Sequence, residues 1–196
     1  MNITAQMVKE LRDKTGAGMM DAKKALVEVD GDMEKATEFL RQKGMASAEK
    51  KMGRIAAEGR VDSFVDANGG AMVEVNCETD FVAKNDEFKT LVANMAKHVE
   101  DLKPADVDAL LATTCPSCDK LIGEALKEKI ASIGEKITVR RFVRYEGPVA
   151  TYIHNGKIGV LLSTDKEDKD LMNDICLHIA SSAPKFVSRA EIPQSE

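Results

Sequence analysis

Tryptophan is absent from this 196-residue chain, and aromatic residues make up only 4% of it. A core with so few rings is aliphatic, and ten methionines are available to fill its irregular gaps. No apolar run approaches the roughly 18 residues of a membrane-spanning helix, so no membrane association is expected. The opening segment MNITAQMVKELRDK lacks the apolar stretch of a secretory signal, and a cytoplasmic location is expected. Four cysteines at irregular spacing do not make a disulfide framework. No Gly-Lys-Ser/Thr occurs anywhere, which removes the phosphate-loop reading of Gly16-Ala17-Gly18. Those glycines follow a helical pattern and read as an interhelical turn. The chain is not expected to bind a nucleotide itself, and no cofactor or metal is assigned.

Catalytic signatures are equally sparse. No Ser or Cys belongs to a nucleophile motif such as Gly-x-Ser-x-Gly, and no acid–base pair stands at readable spacing, so no catalytic residue is assigned. His98 and His178 fall on helical patterns and read as structural. His154 ends a strand beside an Asn-Gly turn and reads as a contact residue. Cys115-Pro116-Ser117-Cys118 has the spacing of a zinc ribbon or a thiol oxidoreductase. Zinc needs four ligands, and no second such pair is present. A redox pair normally lies between a strand and a helix, whereas this one lies between helical segments. Zinc, redox and incidental-turn readings all stay open for it.

Apolar residues at 43% and charged residues at 31% are globular proportions. The net charge of −5 weighs against broad nucleic-acid binding, yet it is unevenly spread. Residues 1–60 carry 12 Lys/Arg and 10 Asp/Glu, and residues 61–196 carry 16 and 23. A mildly basic head precedes an acidic body, and its basic stretch reads first as a solvated helix face. A nucleic-acid-binding module is the rival reading.

Helical periodicity opens the chain. Thr4 caps a pattern carrying Ile3, Met7, Val8 and Leu11, and a second helix from about Asp21 places Ala22, Ala25, Leu26 and Val29 on one face. After Asp30-Gly31, Asp32 caps a third helix with Met33, Ala36, Phe39 and Leu40, and Gly44 is expected to stop it. Residues 45–57 read as a basic helical connector. The period then changes to two: Ala71, Val73, Val75 and Cys77 alternate with Met72, Glu74 and Asn76, and Asn68-Gly69 is expected to supply a type I′ hairpin turn. Further helices are expected after Asn85, around Leu121–Ile133 and around Asp168–Ser182. Strands are expected near residues 136–145, 149–154 and 157–163, the last two joined by a second type I′ turn at Asn155-Gly156. The tail after Pro184 has little periodicity, and partial disorder is expected there.

The stretch Glu78-Thr79-Asp80-Phe81-Val82-Ala83-Lys84 joins a strand to a helix and places polar residues around one of only six phenylalanines. Two readings are open. Thr79 or Asp80 caps a helix whose Phe81 packs inward, or Phe81 is presented to a partner.

Two longer stretches carry a resemblance: Leu11-Arg12-Asp13-Lys14-Thr15-Gly16-Ala17-Gly18-Met19-Met20-Asp21-Ala22-Lys23-Lys24-Ala25-Leu26, and Glu74-Val75-Asn76-Cys77 running into Glu78–Lys84. On these the sequence resembles the bacterial elongation factor Ts family, guanine-nucleotide exchange factors of elongation factor Tu. Weaker similarity extends through Ile133-Gly134-Glu135, Arg140-Arg141-Phe142, Tyr152-Ile153-His154, Ile158-Gly159-Val160 and His178-Ile179-Ala180. The resemblance implies an α+β protein: a three-helix bundle like a ubiquitin-associated module over residues 1–54, then an α+β core with antiparallel strands and packed helices over 55–183, and a tail over 184–196. It further implies binding to elongation factor Tu, both GDP-bound and nucleotide-free. Thr79, Asp80, Phe81 and Val82 would disturb that partner's magnesium site. Arg12, Met19, Met20 and Lys23 would supply head contacts, and Ile133 and His154 core contacts. Relative to longer members the chain stops after one strand–helix half of the core, so a short form that completes itself as a homodimer, in a 2:2 complex, is expected. The resemblance gives Cys115 and Cys118 no role.

Overall fold

The computed structural model describes residues 3–193, and its first helix begins where the Thr4 cap predicts. The Thr4 hydroxyl accepts a hydrogen bond from the Met7 amide at 3.3 Å, satisfying a donor that a helix start otherwise leaves unpaired. Helix α1 spans Ala5–Thr15 and is closed by Gly16 in the left-handed region. Helix α2 spans Met19–Glu28, starting ahead of the expected Asp21 because Gly18 is its N-cap. Asp30 and Gly31, both at positive φ, turn the chain. The Asp32 carboxylate then accepts from the Glu34 and Lys35 amides at 3.0 Å each and starts α3.

Helix α3 spans Met33–Lys51, so Gly44 does not stop it and much of the expected connector is one continuous helix with the third. A lone glycine ends a helix only by turning left-handed, and Gly44 is not among the positive-φ residues. Its role is spatial. A Cβ at Gly44 would lie 3.0 Å from the Ala131 Cβ, so the missing side chain lets α3 pack closely on α7 (Ile122–Ile133). The three first helices enclose Val8, Leu11, Ala22, Ala25, Leu26, Ala36 and Leu40, with Ile3, Met7, Val29, Met33 and Phe39 partly buried against them. That is the face the periodicity marks.

Strands β1 (Glu58–Val65), β2 (Gly69–Cys77) and β3 (Thr138–Glu146) form a sheet in the order β1-β2-β3. Ala71, Val73, Val75 and Cys77 are all buried, as their alternation requires, and Met72 is buried as well because Gly159, on the strand Ile158–Ser163, lies against its sulfur on the other face. The turn before β2 differs from expectation. Neither Asn68 nor Gly69 has positive φ. Instead the Asp66 carboxylate accepts from the Asn68 amide at 2.7 Å and the Gly69 amide at 3.2 Å, an Asx turn that displaces the type I′ geometry. Gly69 is needed for a different reason: a Cβ there would collide with the Tyr145 carbonyl oxygen on β3. The second turn is as expected. Asn155 and Gly156 both have positive φ, and they join β4 (Val149–His154) to β5 (Ile158–Ser163) in antiparallel register from Val149↔Ser163 to His154↔Ile158.

The remaining helices are α4 (Asp80–Lys84), α5 (Asp86–Leu102) capped by Asn85, α6 (Val107–Ala112), and α8 (Lys169–Ser182) begun by Asp168. Helix α6 has no counterpart in the sequence reading; six residues are too few to establish a period. Gly134, at φ +89°, closes α7 as expected. Of the tail, Arg189–Glu191 form a 3-10 turn, and residues 194–196 lie outside the described residues. Among the described residues no helix is long and apolar enough to cross a membrane.

The chain divides into two units. The first comprises residues through Gly59, Asn76–Lys84 and Asp108–Thr138, and so holds α1–α4 and α7. The second comprises Arg60–Val75, Asn85–Val107 and the residues from Val139 onward. In it α8 packs on β4 and β5, and the buried Glu100 carboxylate meets the Arg144 guanidinium at 3.1 Å. Unpaired, that buried charge would be strongly destabilising.

Candidate functional site

Strand β2 ends at Cys77, and the chain must change direction within two residues to enter α4. Thr79 makes the entry: its hydroxyl accepts from the Val82 amide at 3.3 Å and its carbonyl from the Ala83 amide at 3.2 Å. Ala83 is buried and anchors the short helix, while Val82 is half-buried. Phe81 points the other way and is 81% exposed, so it is not part of the core. Of the two readings left open by the sequence, inward packing is the one the structure removes. Single exposed apolar residues are common, but Phe81 stands out because aromatic residues are enriched at the cores of protein interfaces.

The base of this turn is held by two carboxylates. The Glu135 carboxylate, in the segment between α7 and β3, accepts from the Glu78 and Thr79 amides at 3.0 Å each and from the Thr79 hydroxyl at 2.6 Å. In return the Glu78 carboxylate accepts from the Lys136 amide at 2.6 Å, and the Arg54 guanidinium lies 3.3 Å away. Lys136 also donates its ammonium to the Arg54 carbonyl at 2.9 Å. The hydrogen bond from the Lys136 amide, opposed by desolvation and aided by Arg54, lowers the Glu78 pKa below the ordinary glutamate value. On α4 itself, the Lys84 ammonium sits 2.7 Å from Asp80, and that hydrogen bond lowers the Asp80 pKa. Both groups are ionised at neutral pH. The clamp fixes the backbone from which Phe81 projects.

Neither Glu135 nor Arg54 is singled out by sequence reasoning as a site residue. Glu135 lies far along the chain from Thr79, and no periodic or spacing signal links them; only the Ile133-Gly134-Glu135 similarity hinted at it.

The head residues lie in the same unit as the Phe81 turn. Met19 and Met20, 46% and 63% exposed, stand on the first turn of α2. Met20, Val27 and Phe39 line a shallow groove between α2 and α3 whose rim carries Lys23, Lys24 and Lys43 together with Glu28. Val27 is not marked by the sequence, and Phe39 is marked there as a core residue of the third helix, not as part of a surface groove. Arg12 is exposed on α1 and tied to Asp13 at 2.7 Å. Ile133 is half-buried at the end of α7. His154 belongs to the second unit, at the exposed end of β4, where its Nδ1 lies 3.1 Å from the Tyr152 hydroxyl and the two rings stack at 6.2 Å.

Cys115 and Cys118 lie in a tight loop between α6 and α7, Cys115 buried and Cys118 exposed. Among the described residues no group of three or more His, Cys, Asp or Glu is gathered that could hold a metal ion. What the first unit offers is an apolar projection on a hydrogen-bonded base and a shallow groove lined by Met20, Val27 and Phe39 with a mostly lysine rim. Exposed apolar side chains ringed by charge are the composition found at protein–protein interfaces.

Residues 78–196 match the family described as Elongation factor TS. Across the whole chain there is similarity to Elongation factor Ts of Halorhodospira halophila, 46% identical over 200 residues and spanning 68% of that protein. Elongation factor Ts of Alkalilimnicola ehrlichii is 46% identical over 198 residues, covering 98% of this chain and 67% of the relative. Elongation factor Ts of Syntrophotalea carbinolica is 49% identical over 202 residues, with 98% and 67% covered.

Proposed function

This chain belongs to the elongation factor Ts family of translation elongation factors, and on that premise we propose that it binds elongation factor Tu, GDP-bound and nucleotide-free, and accelerates GDP release so that GTP can follow. In this reading the Asp80-Phe81 turn enters the partner's nucleotide domain and disturbs its magnesium and nucleotide site, flanked by Thr79 and Val82. Arg12, Met19, Met20 and Lys23 extend the contact, and Ile133 and His154 add to it. Residues 1–54 act as the head, and 55–183 as the core through which two copies pair into a 2:2 complex. The protein works in the cytoplasm.

The observation that carries this reading is the exposure of Phe81 on a turn whose base is clamped by Glu135 and Glu78. Burying a phenylalanine side chain is worth about 1.5–3 kcal/mol, so a ring kept in water on a hydrogen-bonded base is stabilisation reserved for a complex. A nucleotide held at nanomolar Kd has about 12 kcal/mol of binding free energy, and each tenfold weakening takes about 1.4 kcal/mol. Phe81 therefore accounts for one or two decades. The remainder falls to a distributed interface that favours the nucleotide-free partner, the role read here for the groove between α2 and α3. Linkage makes the effect reciprocal: GDP weakens this protein's binding by the factor by which this protein weakens GDP's. Such an activity needs no acid, base or metal on this chain, because it stabilises an intermediate through binding alone.

Release of a fluorescent GDP analogue from elongation factor Tu, chased with unlabelled nucleotide, tests the reading. Substoichiometric amounts of this protein should accelerate the release over many turnovers. An unchanged release rate at equimolar protein rejects the proposal.

A further inference from the structure

The loop between α6 and α7 is closed at its base by an antiparallel bridge between Thr114 and Leu121, by the Ile122 amide donating to the Thr113 carbonyl at 2.9 Å, and by the Cys115 amide donating to the Lys120 carbonyl at 2.6 Å. Inside it the Cys118 amide donates to the Cys115 carbonyl at 3.4 Å, so residues 115–118 form a turn with Pro116 at its second position. Asp119, at φ +50°, turns the chain back to the bridge. A turn of this kind holds its first and last Cα atoms within about 7 Å, and a disulfide requires about 4.4–6.8 Å. Within the same turn the Ser117 hydroxyl lies 3.2 Å from the Cys115 sulfur.

Access is graded. Cys77, Cys115 and Cys176 are buried, and Cys118 is exposed. We propose that Cys118 and Cys115 are a thiol–disulfide exchange site that takes low-molecular-weight disulfides, with Cys118 receiving the oxidant and Cys115 resolving it.

In the first step Cys118 gives its proton to solvent and its sulfur bonds to one sulfur of the disulfide, expelling the other half as a thiolate. In the second, the Cys115 thiolate attacks the Cys118 sulfur and expels the remaining half. Two protein thiols are oxidised by two electrons to one internal disulfide, and one small disulfide is reduced to two thiols. Access, not acidity, sets that order, because Cys118 is exposed to the oxidant and Cys115 is buried behind it. Desolvation raises the Cys115 pKa, but the hydrogen bonds from Cys118 and Ser117 outweigh it and the net shift is downward. At Cys118 the hydrogen bond given to Cys115 raises the pKa, with desolvation adding to it. The buried partner is thus the readier thiolate and the exposed one the accessible sulfur.

The experiment treats the native, full-length chain with oxidised glutathione, blocks residual thiols with N-ethylmaleimide under denaturing conditions, and maps the peptides by mass. Cys115 and Cys118 should lose both alkylation sites together with two hydrogen masses, reversibly on adding reductant, while Cys77 and Cys176 stay fully alkylated. Cys115→Ser, checked for an unchanged melting curve, should instead hold a glutathione mixed disulfide at Cys118. Three results overturn the proposal: a mixed disulfide that persists at Cys118 in the unaltered chain, no reaction at Cys118, or oxidation of Cys77 or Cys176 first. Because the readout is mass, it stands or falls independently of nucleotide exchange.

Discussion

Phe81 projects from a turn held by a carboxylate 56 residues beyond Thr79 in the chain. Glu135 accepts three hydrogen bonds from Glu78 and Thr79, and without them two half-buried amides lose their acceptor. Leaving such donors unsatisfied costs about 1–3 kcal/mol. Glu135→Ala should lower unfolding stability by that amount in denaturant titration. It should also slow GDP release about tenfold at temperatures well below its melting point, with Glu135→Gln falling between. Asp80→Ala should act in the same direction with a smaller loss, since a rim polar group is worth less than a buried aromatic anchor. The clamp is also sensitive to acid. Glu78 and Asp80 have folded pKa values lowered by the hydrogen bonds from Lys136 and Lys84, so the stabilisation they provide is complete above their unfolded values, near pH 4, and is lost as pH falls through the lowered folded values. The Lys136 amide proton resonance should follow Glu78 and titrate with a midpoint below that of an ordinary glutamate. A midpoint at or above the ordinary value contradicts the clamp.

At the scale of elements, the boundaries set by local chemistry were legible and those set by packing were not. Thr4, Asp32, Asn85 and Asp168 each cap the helix that follows, because a side-chain oxygen within reach of a free amide is a local event. Gly44 was misread as a stop because its reason lies on α7, distant in sequence. Asn68-Gly69 was misread as a type I′ turn because Asp66 competed for the same amides, while the unopposed Asn155-Gly156 followed its composition. Gly44 yields a prediction of its own. Gly44→Ala gains about 1 kcal/mol of helix propensity and needs only a few tenths of an ångström from Ala131, so it should be close to neutral. Gly44→Leu should destabilise by about 1–3 kcal/mol as α3 is forced off α7, measured by thermal or denaturant unfolding. A neutral leucine variant contradicts the close packing.

At the scale of the whole molecule, the site was legible where it coincided with a contiguous stretch and illegible where it was assembled. The Thr79–Val82 turn and the methionines of α2 were visible as residues; Glu135, Arg54 and the groove between α2 and α3 became visible only once the chain was folded. Assembly is tested separately. In the second unit Val143, Tyr145, Ile158, Leu171 and Leu177 are large apolar residues left exposed, and the proposed pairing of two copies would stabilise the assembly to the extent that it covers them. Light scattering should report a dimer, and a mass of 21.4 kDa across micromolar concentrations contradicts pairing. The central claim is that a presented ring, and not a buried one, drives exchange. Its most direct test is GDP release from elongation factor Tu by Phe81→Ala beside the unaltered chain, with melting curves of both. The account predicts melting within a few degrees, as at any exposed position, and release slowed about 10–100-fold, the equivalent of the 1.5–3 kcal/mol of phenylalanine burial lost at the partner. A variant that melts far below the unaltered chain, or one that folds and exchanges at the normal rate, contradicts it.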